Sequence, residues 1–134
     1  MTNSRFIQRS IALQAIFAIQ QNKSANKTEV IRALLEENQI KEKDPFIVEL
    51  IDGVLDNHQE LDDTIEKYLN SKWEIDRISA IDRNILELTI FQIKKMIDIP
   101  PKVAIDQGLE LAKKYSEETS VKFINGVLAN IVAP

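Results

Sequence analysis

The chain has no cysteine, which removes disulfide frameworks, thiolate metal sites and thiol nucleophiles together and fits a reducing, cytoplasmic setting. It has a single histidine, His58. Histidine-rich metal centres and two-histidine mechanisms are thereby excluded, and the role expected of His58 is that of a charged or polar loop residue. Glycine is as scarce, with only Gly53, Gly108 and Gly126, so there is no Gly-rich phosphate loop or Walker sequence, and no Ser/His/Asp constellation either. Asp62, Asp63 and Glu66 alternate with apolar positions as an exposed helical face does. These residues give an enzyme nothing to stand on, and neither a cofactor nor a metal site is expected. No apolar run approaches the ~20 residues of a membrane span, and no signal peptide is evident, so no membrane association is expected.

What remains is rich in Leu, Ile, Ala, Glu and Lys, with four prolines among 134 residues. That composition predicts one all-α domain able to bury roughly two-thirds of its unfolded surface. The net charge is −4, unevenly spread. Residues 1–28 carry Arg5, Arg9, Lys23 and Lys27 and no acid, residues 29–92 carry sixteen acids against seven bases, and residues 93–134 carry six bases against five acids. A basic first helix on an acidic body can still present a local anion site, because salt screens distant charge.

Helical spacing divides the chain into seven segments. The first, Ser4 to Gln21, reads as amphipathic, with Phe6, Leu13 and Phe17 on one face and Arg5 and Arg9 a turn apart on another. Asn26 and Glu29 form a capping pair for the second, and Asp44-Pro45 starts the third, "PFIVELIDGVLDN". "QELDDTIEKYL" is the fourth. Ser71 and Glu74 suggest a capped short turn, and Ser79 with Asp82 restarts the chain into "ILELTIFQIKKMI", which Asp98 to Pro101 stops. "KVAIDQGLELAKKY" is the sixth, and Ser116-Glu117-Glu118 introduces the seventh.

That last helix contains "KFINGVLANIV", in which Asn125-Gly126 taken alone would signal a β-hairpin turn. Phe123, Val127 and Ile131 keep helical spacing straight through it, so helix is the expectation. A mid-helix glycine costs roughly 1 kcal/mol against alanine, and all three glycines are expected to repay that as notches where another helix crosses closely. "IDGVLDN" at 51–57 echoes "INGVLAN" at 124–130, which points to two similar helical subdomains.

The carboxy-terminal third, "DIPPKVAIDQGLELAKKYSEETSVKFINGVLANI", closely resembles the NusB family of bacterial transcription antitermination factors. The resemblance rests on Pro100 with Lys102-Val103-Ala104-Ile105, then Glu110-Leu111-Ala112-Lys113, Lys122-Phe123 and Asn125-Gly126-Val127-Leu128. It continues upstream through "IDRNILELTIFQI" and "IALQAIFAIQ" and is weaker between residues 22 and 70. It implies about seven helices in two roughly perpendicular three-helix bundles, here subdomains 1–70 and 71–134. It also implies no catalysis and a partnership with the ribosomal protein NusE. Together the pair would bind single-stranded boxA RNA in the RNA polymerase antitermination complex, especially on ribosomal RNA operons.

Carried onto this sequence, the family's RNA surface corresponds to Arg5, Arg9 and Phe17 of the first helix, with Lys113, Tyr115, Ser120 and Lys122. Phe6 and Ile7 stand where further arginines often occur, and Phe17 stands at a usual tyrosine position. The NusE surface corresponds to Asp82, Arg83 and Glu87 with Asp98 and Pro101, and Glu87 replaces a common arginine. A reversed charge there would call for a basic group on the partner. The second reading is a helical protein-interaction module, or a homodimer, with little RNA binding of its own. Oligomeric state and the exact RNA sequence stay open.

Overall fold

A computed structural model describes residues 4–41, 44–69 and 75–132, and every regular element among them is helical. The chain forms two compact units, residues 1–56 and 57–134.

The first unit holds α1 (Arg5–Gln21), α2 (Lys27–Glu37) and α3 (Pro45–Asp56). Ser4 starts α1 by accepting the Ile7 amide on Oγ at 3.1 Å. Asn26 does the same for α2, its Oδ1 taking the Glu29 amide at 3.1 Å, as the sequence predicts. The end of α2 is a Schellman closure. Gln39 turns left-handed at φ 60°, its amide reaches Glu36 O at 3.0 Å and the Ile40 amide reaches Leu35 O at 2.8 Å. Leu35 and Ile40 are both buried, which supplies the apolar contact that accompanies this motif. Asp44 then caps α3 through Oδ1 and the Phe46 amide at 2.9 Å, while its other oxygen accepts from Gln8 of α1.

Helix α1 packs on both α2 and α3. Every residue from Gln8 to Leu13, then Ala15 and Ile16, is buried, so α1 is a central helix and not the amphipathic one expected. The apolar face assigned to Phe6, Leu13 and Phe17 does not exist as such: Leu13 is fully buried, while Phe17 stands exposed. Apolar residues on all sides mark a helix surrounded by others. Helix α3 keeps a one-sided stripe of Phe46, Ile47, Leu50, Ile51 and Val54.

The second unit holds α4 (His58–Lys67), a 3-10 turn at Ile75–Arg77, α5 (Ala80–Lys95), α6 (Pro101–Tyr115) and α7 (Glu118–Val132). Here α5 is the central helix, buried continuously from Asn84 to Gln92, with α4, α6 and α7 packed around it. Ser79 caps it, Oγ accepting the Asp82 amide at 3.2 Å. The Ser71–Glu74 capping pair lies outside the described residues. The division between units comes at Asp56/Asn57, ahead of the expected boundary after residue 70. The reason is the face that α4 buries: Leu61, Asp62, Thr64 and Ile65 belong to a helix packed on α5.

No hairpin forms at Asn125-Gly126, which lies inside α7. The glycines separate. A Cβ on Gly108 would lie 2.5 Å from Thr89 Oγ1, so α6 crosses α5 through a true notch, whereas a Cβ on Gly126 would meet nothing within 4 Å. The notch expected at Gly126 is therefore absent, because that position of α7 faces outward.

Candidate functional site

In the first unit, the two α1 arginines meet one ring. Arg5 Cζ lies 3.8 Å from the centroid of Phe46 and Arg9 Cζ 5.4 Å from it. Arg5 is exposed and bonds Gln8 Oε1 through Nη1 at 3.3 Å. Arg9 is only 3% exposed. Burial, and then the repulsion of Arg5, lower its pKa, though from so high a starting value that the guanidinium stays charged. Of the two arginines expected on RNA, the structure thus presents Arg5 and turns Arg9 inward. Phe17 is exposed at 37% and free to stack. It lies about 18 Å along the axis and a third of a turn round from Arg5, so the two cannot touch the same nucleotide.

In the second unit, the end of α6 and the start of α7 gather the other expected residues. Lys113 and Lys122 are exposed, and Tyr115 and Ser120 half-buried. Lys113 pairs with Glu110 at 3.3 Å on the open surface, a contact of small worth. Lys114 Nζ stands 5.3 Å from the Tyr115 ring. Beside them lies a pocket of about 250 Å³ lined by Arg77, Ile78, Ser79, Asp82, Thr119, Ser120 and Phe123. It joins Ser120, expected on RNA, to Asp82, expected on the partner. Arg77 and Thr119 were not singled out by the sequence, and Phe123 only for its helical spacing and its place in the Lys122-Phe123 motif, since their convergence depends on how the 3-10 turn meets α7.

The expected partner residues divide. Asp98 and Pro101 are exposed at the α5–α6 connection, beside Ile97, which is 96% exposed. Asp82 is buried, its Oδ1 accepting from Ser116 Oγ at 2.6 Å. Glu87 is fully buried, so its expected place on the partner surface is corrected: the central position of α5 turns it into the unit. Its reversed charge is answered internally. His58 Nε2, on the first residue of α4, lies 3.1 Å from Asp62 Oδ2 and 3.3 Å from Glu87 Oε2. Arg83 grips Asp62 as a fork, Nη2 at 2.5 Å from Oδ2 and Nε at 3.4 Å from Oδ1, and Asn84 Nδ2 donates to Glu87 Oε1 at 2.8 Å.

The two carboxyls are driven apart electrostatically. Burial, then the adjoining Asp62, push Glu87 up to about 8, against the smaller pull of Asn84 and Arg83. Burial would raise Asp62 too, but Arg83 above all, then Glu87 and the His58 imidazole, outweigh it and hold Asp62 below its ordinary value. Asp62 in turn raises Arg83. His58 and Asp62 are thus neither the loop residue nor the exposed face expected of them. Their spacing of four and that of Arg83 and Glu87 place each pair on one helical face. That spacing, with the departure from the family's usual arginine at Glu87, is the sequence signal of this cluster.

No described helix is long and apolar enough to cross a membrane. The model of the NusB family matches residues 7–133. The transcription antitermination protein NusB of Ligilactobacillus salivarius is 39% identical over 98% of this chain and all of that protein. The Listeria monocytogenes protein of the same name is 42% identical over 92% of this chain and 91% of its own. A crystal structure of antitermination factors NusB and NusE in complex with dsRNA superimposes with a TM-score of 0.83 at 30% identity, covering 98% of this chain and 97% of that one. Matched along nearly its whole length in sequence and in fold, the chain belongs to the NusB family of transcription antitermination proteins.

Proposed function

We propose that the protein binds single-stranded boxA-type RNA together with the ribosomal protein NusE and so promotes readthrough by RNA polymerase, especially in ribosomal RNA operons. The observation that carries this reading is the pocket between the 3-10 turn and α7, with Lys122 two residues beyond its Ser120 wall. Phe123 and Ile78 offer an apolar surface for a splayed base, Thr119 and Ser120 hydroxyls for its edge, and Arg77 and Lys122 cations for backbone phosphate. Single-stranded RNA is read by this combination of stacking, edge hydrogen bonds and phosphate contacts. In the first unit Arg5 and Phe17 supply one more cation and one more exposed ring. Asp98 and Pro101, with exposed Ile97 beside them, form the contact for NusE. The antitermination complex with RNA polymerase is the setting in which both surfaces are used, and the protein acts by binding alone.

The test is a titration of a short boxA-like single strand, its scrambled version and its duplex, each at two salt concentrations, with and without NusE. A duplex belongs in the set because the related NusB–NusE crystal structure carries dsRNA. Preference for the boxA single strand that tightens with NusE is the expected result. Binding of NusE without binding of any RNA would replace this reading with that of a helical interaction module, and the buried Arg9 favours that alternative over any other.

A further inference from the structure

We propose that His58, Asp62 and Glu87 form a binding site for one divalent transition-metal ion of the zinc type, tying α4 to α5. The three side chains each bring one ligand atom, and those atoms all lie within 4.8 Å of one another. The two separations from His58 Nε2, 3.1 Å to Asp62 Oδ2 and 3.3 Å to Glu87 Oε2, are close to two edges of a tetrahedron. Bonds of about 2.0–2.1 Å around zinc put neighbouring ligand atoms about 3.4 Å apart.

A second, independent observation points to a cation. Glu87 is fully buried, and its Oε2 is an interior oxygen that makes no well-formed hydrogen bond, with His58 Nε2 at 3.3 Å and Arg83 Nε at 3.9 Å as the cations that face it. An interior acceptor without a well-formed hydrogen bond is only partly compensated, and this one lies at the imidazole nitrogen that also faces Asp62 Oδ2. The oxygens not facing the centre are already held. Asn84 Nδ2 donates to Glu87 Oε1 at 2.8 Å, and Arg83 Nε reaches Asp62 Oδ1 at 3.4 Å. Outer hydrogen bonds of this kind orient metal ligands. The His58 side chain is 42% exposed, which leaves an entry path and room for water in a fourth position.

Arg83 competes, since its Nη2 also uses Asp62 Oδ2. Metal entry requires that bond to lengthen while the Nε bond stays. Two carboxylates can balance a dication, and Arg83 at 28% side-chain exposure has solvent into which to turn. The ligand set selects the metal. One imidazole nitrogen with two carboxylate oxygens suits zinc, whereas magnesium and calcium need six or more oxygen ligands that this site does not offer.

Untagged full-length protein should be titrated with zinc against a chromogenic chelator, and nitrogen-15 spectra of its single histidine recorded alongside. The expected result is one equivalent bound, at least tenfold weaker binding in H58A and in E87Q, a large shift of the His58 Nε2 resonance, and no competition from magnesium. Absence of saturable binding, full-strength binding in H58A, or an unmoved His58 resonance would each overturn the site. Should H58A or E87Q fail to fold, the wild-type histidine spectrum decides the matter without a variant.

Discussion

A Cβ placed on Gly108 would stand 2.5 Å from Thr89 Oγ1, and Thr89 cannot easily yield. Its hydroxyl donates to Ile85 O at 2.8 Å and its side chain is buried. G108A therefore gains helix propensity worth about 1 kcal/mol and loses more to overpacking, for a net destabilisation of about 1–3 kcal/mol. T89A removes the obstructing atom and leaves Thr89's own Cβ at 3.5 Å, an ordinary contact. In urea melts, the double variant should be more stable than the sum of the single changes predicts, by at least about 0.5 kcal/mol. Simple additivity would mean that the notch is not what the glycine is for.

Gly126 should behave in the opposite way. A Cβ there meets nothing within 4 Å, and the residue is exposed in the middle of α7. G126A then only restricts the unfolded chain and improves the helix, and should raise stability by about 0.5–1 kcal/mol. A loss of stability in the same melt would show a packing role that the structure does not contain.

These two glycines show how far the sequence can be read. Helix existence and ends are local matters, so Asn26, Asp44 and Ser79 could be recognised as caps from their own neighbours. Whether a glycine is a notch depends on the helix opposite, which no local pattern contains. The same holds for Glu87: its charge was legible as a departure from the family, but its answer in His58 and Asp62 lies on another helix. Arg9 misled for a related reason. A cation on an acid-free helix reads as surface until that helix proves to be the centre of its unit.

Glu87 also gives the second unit a pH dependence with a definite sign. Its pKa rises from 4.5 to about 8 on folding, so the folded protein holds a proton that the unfolded chain releases. The stability this confers is complete below about pH 4.5 and is lost as pH rises through 8. Asp62, shifted downward, acts at the acid end, where its contribution is lost as pH falls below the ordinary carboxylate range. In chelator-containing buffer, the wild type should lose stability between about pH 5 and 8 relative to E87Q, which keeps the hydrogen-bonding amide and cannot ionise. Parallel curves for the two proteins would rule out Glu87 as the origin.

The arginines of α1 should separate by assay. Arg5 is exposed, so R5A should cost little stability beyond its stacking on Phe46, about 0.5–1 kcal/mol, and should weaken RNA binding, lowering the salt slope by about one counterion. K122A, at an exposed lysine of α7, should weaken RNA binding in the same way. Arg9 is buried beside Phe46, and R9A removes buried packing and leaves a gap in the unit, so its effect should fall on stability, about 1–3 kcal/mol, with the salt slope of whatever RNA binding remains unaltered. If instead R9A melts like the wild type and flattens the salt slope as R5A does, Arg9 must swing out to meet phosphate. The first unit would then have an RNA-bound arrangement of α1 that differs from the one described.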